Sequence, residues 1–542
     1  MNRRNFFKVI SAAGTSMTVP ATFTIHSLLN KAYAASPRYD EAQFDLTALQ
    51  AARPNLQHLP QIINVFLYGG PSELSGNLSI IDDIAANSQS SYANNIRGIV
   101  QLQNDQSGNG KITPRGFWGG EGGPGGNNGA GGDIMEFLVE NDYMTVYRTM
   151  MKRVNDTRSH RESIFQTQKG TTDIEGRPGI GTALANMLYM NRASLAGHNL
   201  LNGKGVEDLI LPFVSFEGEA TVFAPDPDTS LPLRLRYTTL GQDLENPFNP
   251  NNYEDNNRGN IFTDLVNAMN QQYGSRFNSV INSFSSRSVL GRNIGNLEAA
   301  FDSPIAVSTA NIAAADLADD FNDNGDGTAT LNYPNNQFAR QIRAAVTLAV
   351  ENPDSLYIQV GNIGLGGWDD HNNGCDQYAG RMDDLFSALR AAVKHIKYAG
   401  TQTTGITNTP GGTGARRTDN ILINVFGEFG RRCNLNGSCG WDHGNCQNLF
   451  TLGGAAVRPS GALGKVVGTT VRSGQAGSNN QFQVPAGGSY EFEPASVAAS
   501  IYSGFGAQNP QALTADEIMN PAGSGPIDET QPDSQPLLFT PT

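Results

Sequence analysis

Apolar residues along the chain fall into two spacings. Continuous apolar runs bounded by glycine or proline predict strands covered on both faces. The first is Ile62 to Leu67 in "QIINVFLYGGPSE", stopped by Gly69-Gly70-Pro71. "YMTVYRTM" (Tyr143 to Met150) and "LILPFVSF" (Leu209 to Phe216) are the next two. "SLYIQVG" and "NILINVFGEFG" supply two more. Between them the spacing turns helical. In "FARQIRAAVTLAV", Phe338, Ile342, Ala345, Val346 and Ala349 share one face. In "MDDLFSALRAAVKHIK", Leu385, Phe386, Leu389, Val393 and Ile396 do the same.

Strand, loop, helix, strand is the order of an α/β fold, with a mostly parallel sheet and helices on both faces. In such sheets, ligand sites form beyond the carboxyl ends of the strands. That rule makes neighbours of "GGPSE", "GGWDDH" and "GEFGRR", which are far apart in sequence. The intervening segments are irregular. "GGEGGPGGNNGAGG" (Gly119 to Gly132) is a low-complexity loop, and Glu245 to Asn260 is a polar, turn-rich one. "FNDNGDGT" (Phe321 to Thr328) imitates the first half of a calcium loop, but its twelfth position is Tyr333 rather than a bidentate Glu, so it reads as a turn. No repeat of 20–50 residues is visible.

The N-terminus has a different character. "NRRNFFKVISAAGTSMTVPATFTI" carries Arg3 and Arg4, then a mild apolar stretch, then "AYAAS" with small residues at Ala32 and Ala34. This is the pattern of a twin-arginine export signal, with the twin-arginine translocase as partner during export. Residues 1–34 are therefore read as signal peptide, and 35–542 as a single α/β domain with insertions. The expected location is the periplasm, or the cell surface reached by that route. No later run approaches the roughly 18 apolar residues of a membrane span. The net charge of -14, without any basic block, argues against nucleic acid as a partner.

Export also sets the redox setting of the four cysteines, Cys375, Cys433, Cys439 and Cys446. Disulfides are the default in an oxidising compartment, and four cysteines allow three pairings. The Cys-x5-Cys-x6-Cys spacing fits no common zinc knuckle.

Chemistry-bearing side chains gather at the predicted strand ends. Trp368-Asp369-Asp370-His371 follows one strand, Glu428 another, and Asp442-His443 lies in "GSCGWDHGNC". Carboxylates and imidazoles meeting on one rim suit a divalent cation such as zinc, manganese or magnesium. Ser72, Glu73 and Ser75 follow the first strand and offer hydroxyl nucleophiles. A metal beside a serine lowers its pKa and polarises a phosphoryl or sulfuryl oxygen. "TRSHRES" adds Arg158, His160 and Arg161, with arginines able to clamp an oxyanion. Each residue has an ordinary reading beside this one, since Asp-His pairs in glycine-rich loops also serve as turns. The functional reading gains from His160, His371 and His443 each following a predicted strand.

Taken together, the export signal, "FLYGGPSE", "RSHRES", "GGWDDH", "GEFGRR" and "WDHGNCQNLFTLGGA" occur in the order found in a family of twin-arginine-exported bacterial proteins. The chain resembles the domain-of-unknown-function family numbered fifteen-oh-one, from about Ile62 to about Gly468. That family is grouped with the alkaline-phosphatase-like and sulfatase-like superfamily. The resemblance implies a three-layer α/β sandwich with metal at the strand ends. It also implies a Ser, Thr or modified Cys that attacks phosphorus or sulfur. Ser72 matches the nucleophile region, Asp369 and His371 a metal-ligand pair, and His443 a late ligand histidine. Glu428 stands at the strand-end acid, and Asp442 takes a supporting role or serves as an alternative ligand, paired with His443. Relatives carry an Asp three residues after the Ser, where this chain has Ser75; Glu73 is the nearby substitute. A disulfide between the loop of Cys375 and that of Cys433 to Cys446 would pin two ligand loops together.

The expected activity is metal-dependent hydrolysis of small anionic phosphate or sulfate esters. Zinc, manganese, magnesium or calcium would be the cofactor. Arg158 and His160 would assist Ser72, while Asp369, His371, Glu428 and His443 hold the metal. The alternative is a non-catalytic periplasmic or cell-surface protein that keeps the fold as a binding scaffold. A redox enzyme lacks support, because no nucleotide-binding glycine fingerprint or cluster-type cysteine run is present.

Overall fold

A computed structural model of the chain describes residues 37–72, 131–242, 296–317, 319–361, 367–372, 374–399, 417–432, 436–438, 440–458, 462–468, 470–473, 481–487 and 491–514. The export signal, Glu73, Ser75, the polar loop 245–260, most of the glycine-rich loop, Cys433 and Cys439 lie outside the described residues.

The centre of the fold is β1 (Gln61–Leu67), buried at every position. Its side chains alternate between two cores, as a strand's must. Ile63, Val65 and Leu67 enter one, and Ile62 and Phe66 the other. The flanking strands are β2 (Met144–Met151), β3 (Phe213–Ser215), β4 (Thr238–Thr239), β8 (Tyr357–Val360), β9 (Ile421–Gly427), β12 (Cys446–Gly453) and β13 (Val466–Val467). They form one eight-stranded sheet in the order β13-β2-β12-β9-β1-β8-β3-β4. β1 runs parallel to both β8 and β9. Only β12 opposes the common direction, lying antiparallel to β9 and to β2.

Helices cover both faces. On the Ile63 side lie α2 (Gly132–Glu140), α5 (Gln337–Glu351) and α6 (Gly374–Tyr398). The Asn336 side chain caps α5 by accepting from the Ala339 amide. On the Ile62 side lie α1 (Leu46–Ala52), α4 (Ile180–Met190) and α7 (Pro494–Gly504), with α3 (His160–Lys169) packed against α7. The fold is thus a mixed α/β sandwich around a mostly parallel sheet. No helix among the described residues is long and apolar enough to cross a membrane.

Two elements differ from the sequence expectation. The run from Leu209 to Phe216 yields only the three-residue β3. Leu211 sits at φ +50°, and Pro212 has no amide to give a ladder, so pairing cannot start earlier. β12 was not anticipated as a strand. Its apolar residues are interrupted by Gln447, Asn448 and Thr451, and a register shift between Gln447 and Leu449 breaks the alternation. The calcium-like stretch is a hairpin between β6 (Phe321–Asp323) and β7 (Thr328–Leu331), and β7 also pairs with β5 (Ile305–Ser308). Its carboxylates accept hydrogen bonds within the turn, Asp323 from Gly325 and Asp326 from Thr328.

Candidate metal centre

The carboxyl ends of β1 and β9 meet the chain that follows β8. A short antiparallel ribbon completes the rim, with β10 (Gly430–Arg431) paired to β11 (His443–Gly444) so that Arg431 lies opposite His443. The ribbon folds the "GSCGWDHGNC" loop back over the sheet. The Trp441 amide donates to the Asp370 carbonyl at 2.8 Å, and its ring is fully buried against Tyr378. Two glycines allow this closeness. A Cβ on Gly440 would stand 2.1 Å from the His371 carbonyl carbon. One on Gly69, already at φ +109°, would stand 2.5 Å from the Asp369 amide nitrogen.

Three imidazoles converge on one carboxylate oxygen. Asp369 Oδ1 lies 3.1 Å from His371 Nε2, 3.3 Å from His443 Nε2 and 3.4 Å from His160 Nε2. The Nε2 atoms of His371 and His443 are 3.0 Å apart. The cluster is reachable from solvent, with the Asp369 side chain 46% exposed.

The opposite ring nitrogens decide the tautomers. His160 Nδ1 lies 2.8 Å from Glu428 Oε1, His443 Nδ1 2.8 Å from the Arg158 carbonyl, and His371 Nδ1 3.3 Å from Asp442 Oδ1. A carbonyl or carboxylate oxygen only accepts, so each Nδ1 carries the proton. The Nε2 atoms then face one another and Asp369 Oδ1. The Arg431 guanidinium, against Asp369 Oδ1 at 2.6 Å, already brings one positive charge to this set. With bonds of about 2.1 Å, neighbouring ligand atoms are about 3.0 Å apart in an octahedron and about 3.4 Å in a tetrahedron. The distances to Asp369 Oδ1 and the His371–His443 separation fall in that interval, and His160, Asp369 and His443 form a compact group that could hold a divalent cation, with His371 beside it.

Surrounding groups fix this arrangement. Glu428 is fully buried, and its Oε1 accepts from the Gly69 amide at 2.8 Å as well as from His160. Its Oε2 is buried with no hydrogen-bond partner among the described residues. Arg431, also buried, joins the strand ends. Its Nε donates to the Gly70 carbonyl at 2.7 Å and Nη1 to the Trp441 carbonyl at 2.8 Å. Its Nη2 donates to Asp369 Oδ1 at 2.6 Å, to the Trp368 carbonyl at 3.0 Å and to the Gly69 carbonyl. The Phe429 ring floors the site, 4.9 Å from His160 and 4.5 Å from His443 between centroids.

These neighbours set the charges. The hydrogen bond to Glu428 raises the His160 pKa, against the effect of burial. Burial, then the Arg431 charge, pushes His443 down to about 4. Burial alone would raise Asp369, but the hydrogen bond and charge of Arg431 outweigh it and hold the carboxyl below its ordinary value. Asp442 is likewise held low, with Asn436 and His371 overcoming burial. Asp370 turns away to pair with Arg381 at 2.8 Å, and burial raises its pKa.

The expected residues are distributed unevenly. Asp369, His371 and His443, anticipated as ligands, come together, and His160, anticipated as catalytic, joins them. Glu428 stands behind His160, orienting it, rather than among the Nε2 atoms. Asp442 does the same for His371. Ser72 is 3% exposed, and its carbonyl accepts from the Tyr378 hydroxyl at 2.6 Å. The Arg158 guanidinium pairs with Asp156 at 3.3 Å, while its carbonyl holds His443. Cys446 is buried, and its thiol donates to the Arg148 carbonyl at 3.3 Å. Cys375 lies in α6. The sequence reading missed Arg431 and Phe429. Their signal was the pair of arginines just past a buried strand end in "GEFGRR".

Fold and site together define an α/β protein with a histidine–carboxylate cluster at the carboxyl ends of its central strands. No protein-family model matches the chain, and no curated protein matches it.

Proposed function

We propose that the protein is a divalent-cation-dependent hydrolase of small phosphate or sulfate esters, exported by the twin-arginine route and built on an alkaline-phosphatase-like fold. One observation carries the reading. The Nε2 atoms of His160, His371 and His443 all face Asp369 Oδ1, while each Nδ1 is already engaged by an oxygen. A cation bound there would supply Lewis acidity toward a phosphoryl or sulfuryl oxygen and acidify a water. The chain's own residues do the rest. Glu428, Asp442 and the Arg158 carbonyl hold the three rings in the ligating tautomer. Arg431 keeps Asp369 ionised. The Arg158 side chain lies on the same loop and would meet an ester's anionic oxygens. Ser72 is the nucleophile of this reading and must gain access to the substrate.

A second reading, a non-catalytic binding scaffold, is favoured by the burial of Ser72 and by the guanidinium already on Asp369. Metal analysis of the purified mature protein separates the two. It is paired with turnover of 4-nitrophenyl phosphate, bis(4-nitrophenyl) phosphate and 4-nitrophenyl sulfate, with and without chelator. Stoichiometric metal and chelator-sensitive turnover support the hydrolase. Bound metal without turnover supports the scaffold, and metal-free, inactive protein removes the cation-dependent reading.

A further inference from the structure

The chain from Lys152 to Ser159 joins β2 to α3 and delivers one main-chain carbonyl to the histidine cluster. Its middle, Arg153 to Asp156, is exposed, and exposed loops are ordinarily the more mobile parts of a fold. Yet the Arg158 carbonyl stands 2.8 Å from His443 Nδ1, and His160 opens α3 two residues later.

Two buried ionisable side chains fix the base of this loop. Lys152 is 4% exposed, and its ammonium donates to the Thr157 carbonyl at 2.9 Å and to Ser163 Oγ at 2.8 Å. Ser163 Oγ in turn donates to the same Thr157 carbonyl at 3.0 Å. Glu493 Oε1, buried on the other side, accepts from the Arg153 amide at 2.5 Å and the Val154 amide at 2.9 Å. The peptide plane before Arg158 is therefore held through the Thr157 carbonyl. The plane after it is held through the Ser159 amide, which donates to Thr157 Oγ1 at 3.4 Å. Peptide units are planar, so the direction of the Arg158 carbonyl follows from these two anchors.

Lysine is an expensive anchor. It is almost never buried so fully unless paired, and the two groups it bonds here are neutral. Burial pulls its pKa down to about 8, against the raising effect of Glu493, Glu428, Asp156 and Glu162. What the cost secures is the carbonyl that orients a ring of the cluster.

We propose that Lys152 is a positioning residue of the metal centre. With Ser163 it holds the Thr157 carbonyl, aims the Arg158 carbonyl at His443 Nδ1, and so keeps His443 Nε2 free for a cation. The link to His443 is independent of the hydrolase reading; only its service to a cation rests on that reading.

The test reads the ring and the metal separately in the mature protein. Histidines labelled with nitrogen-15 report their tautomers by NMR on metal-free protein, and His443→Ala identifies the His443 signal. Zinc affinity is read by competition with a chromogenic chelator. In the wild type His443 should carry its proton on Nδ1. Lys152→Met keeps the length and removes the donor, so it should populate the Nε2-protonated form and weaken zinc binding about tenfold or more. Its melting curve should stay close to that of the wild type, because exchanging a buried charge for an apolar side chain of similar volume is often neutral. Lys152→Arg keeps a cationic donor and should recover part of both readouts. If Lys152→Met does not fold, Ser163→Ala carries the same measurements. A wild-type His443 protonated on Nε2, or a tautomer or zinc affinity unchanged in the folded variants, would overturn the proposal. A tautomer change in a protein whose wild type binds no zinc supports the positioning of His443 and removes the cation reading instead.

Discussion

Arg431 Nη2 donates to Asp369 Oδ1 at 2.6 Å, closer than any of the three imidazoles that face the same oxygen. The other nitrogens of this guanidinium reach the carbonyls of Gly70 and Trp441, and Nη2 also reaches those of Gly69 and Trp368. One buried side chain therefore ties the ends of β1 and β9 to the segment carrying Asp369 and to the loop carrying His443.

Replacing Arg431 with methionine keeps the bulk and removes every donor. Buried carbonyls then lose their partners, each at a cost of about 1–3 kcal/mol. Arg431→Met should lower unfolding free energy by about 3–5 kcal/mol, as breaking a buried charge network does. Arg431→Lys should recover only part, since an ammonium lacks the planar fork. Urea denaturation of the three proteins checks this. A loss below about 1 kcal/mol for the methionine variant would show that the loops hold together without it.

The strands and the clustered Asp369 and His443 were legible in sequence for a simple reason. β1 and β9 are fully buried, so they are written as apolar runs broken only by Gln61, Asn64 and Asn424, and Asp369 lies nine residues beyond the end of β8. Arg431 was not legible because its partners are main-chain carbonyls of three distant segments, which leave no mark on residue identity. Glu428 illustrates the same limit. Its type and place suited a metal ligand, and only the three-dimensional position of His160 shows that it serves the ring instead. β12 stayed hidden because its buried positions include Gln447 and Thr451, whose oxygens bond to neighbouring strands. Gln447 accepts from the Gly427 amide at 3.0 Å.

The cation reading makes separate claims for a ligand and for its support. Asp369→Asn removes the carboxylate charge and His443→Ala a ligand atom, and each should abolish stoichiometric divalent metal in the purified protein. Glu428→Gln removes none. It weakens the hold on His160 and should lower metal affinity about 10–100-fold. Competition with a chromogenic chelator reads both effects. Equal affinity in wild type and Glu428→Gln would count against the orienting role. Unchanged metal content in Asp369→Asn and His443→Ala would count against the site.

Glu217 lies just past the end of β3, where the Tyr68 hydroxyl donates to its Oε1 at 2.9 Å. Burial pushes its pKa up to about 7, against the lowering effect of hydrogen bonds from Tyr68 and Gln359. The folded protein therefore holds this proton more tightly than the unfolded chain. Its contribution is fully present below about pH 4.5 and is lost as pH rises through about 7. The loss above that pH amounts to about 3 kcal/mol for a group so buried. Glu217→Gln fixes the neutral form, and its amide oxygen still accepts from Tyr68. The variant should gain stability relative to wild type at pH 8.5 and show little gain at pH 4.5. Paired denaturation curves at the two values measure the difference. An equal offset at both would mean that Glu217 ionises in the folded state as easily as in the unfolded one.

The loop "GSCGWDHGNC" contains its own control. Gly437 at its start is exposed, and an added Cβ would meet nothing within 4 Å. Gly440, three residues on, is buried, and an added Cβ would press on the main chain at 2.1 Å from the His371 carbonyl carbon and 2.3 Å from the Asp370 oxygen. Neither neighbour is a flexible side-chain end, so the loop or the His371 segment must shift. Gly440→Ala should cost about 3 kcal/mol, the upper range for overpacking, whereas Gly437→Ala should stay within about 0.5 kcal/mol of wild type. The shift also has a local readout. His371 and His443 lie on the two segments forced apart, and their Nε2 atoms are 3.0 Å apart in the wild type. Gly440→Ala should therefore weaken divalent-metal binding even at temperatures where it remains folded, and Gly437→Ala should not. If both variants bind metal like the wild type, the close approach of the loop serves stability alone, and the ligand geometry is set elsewhere.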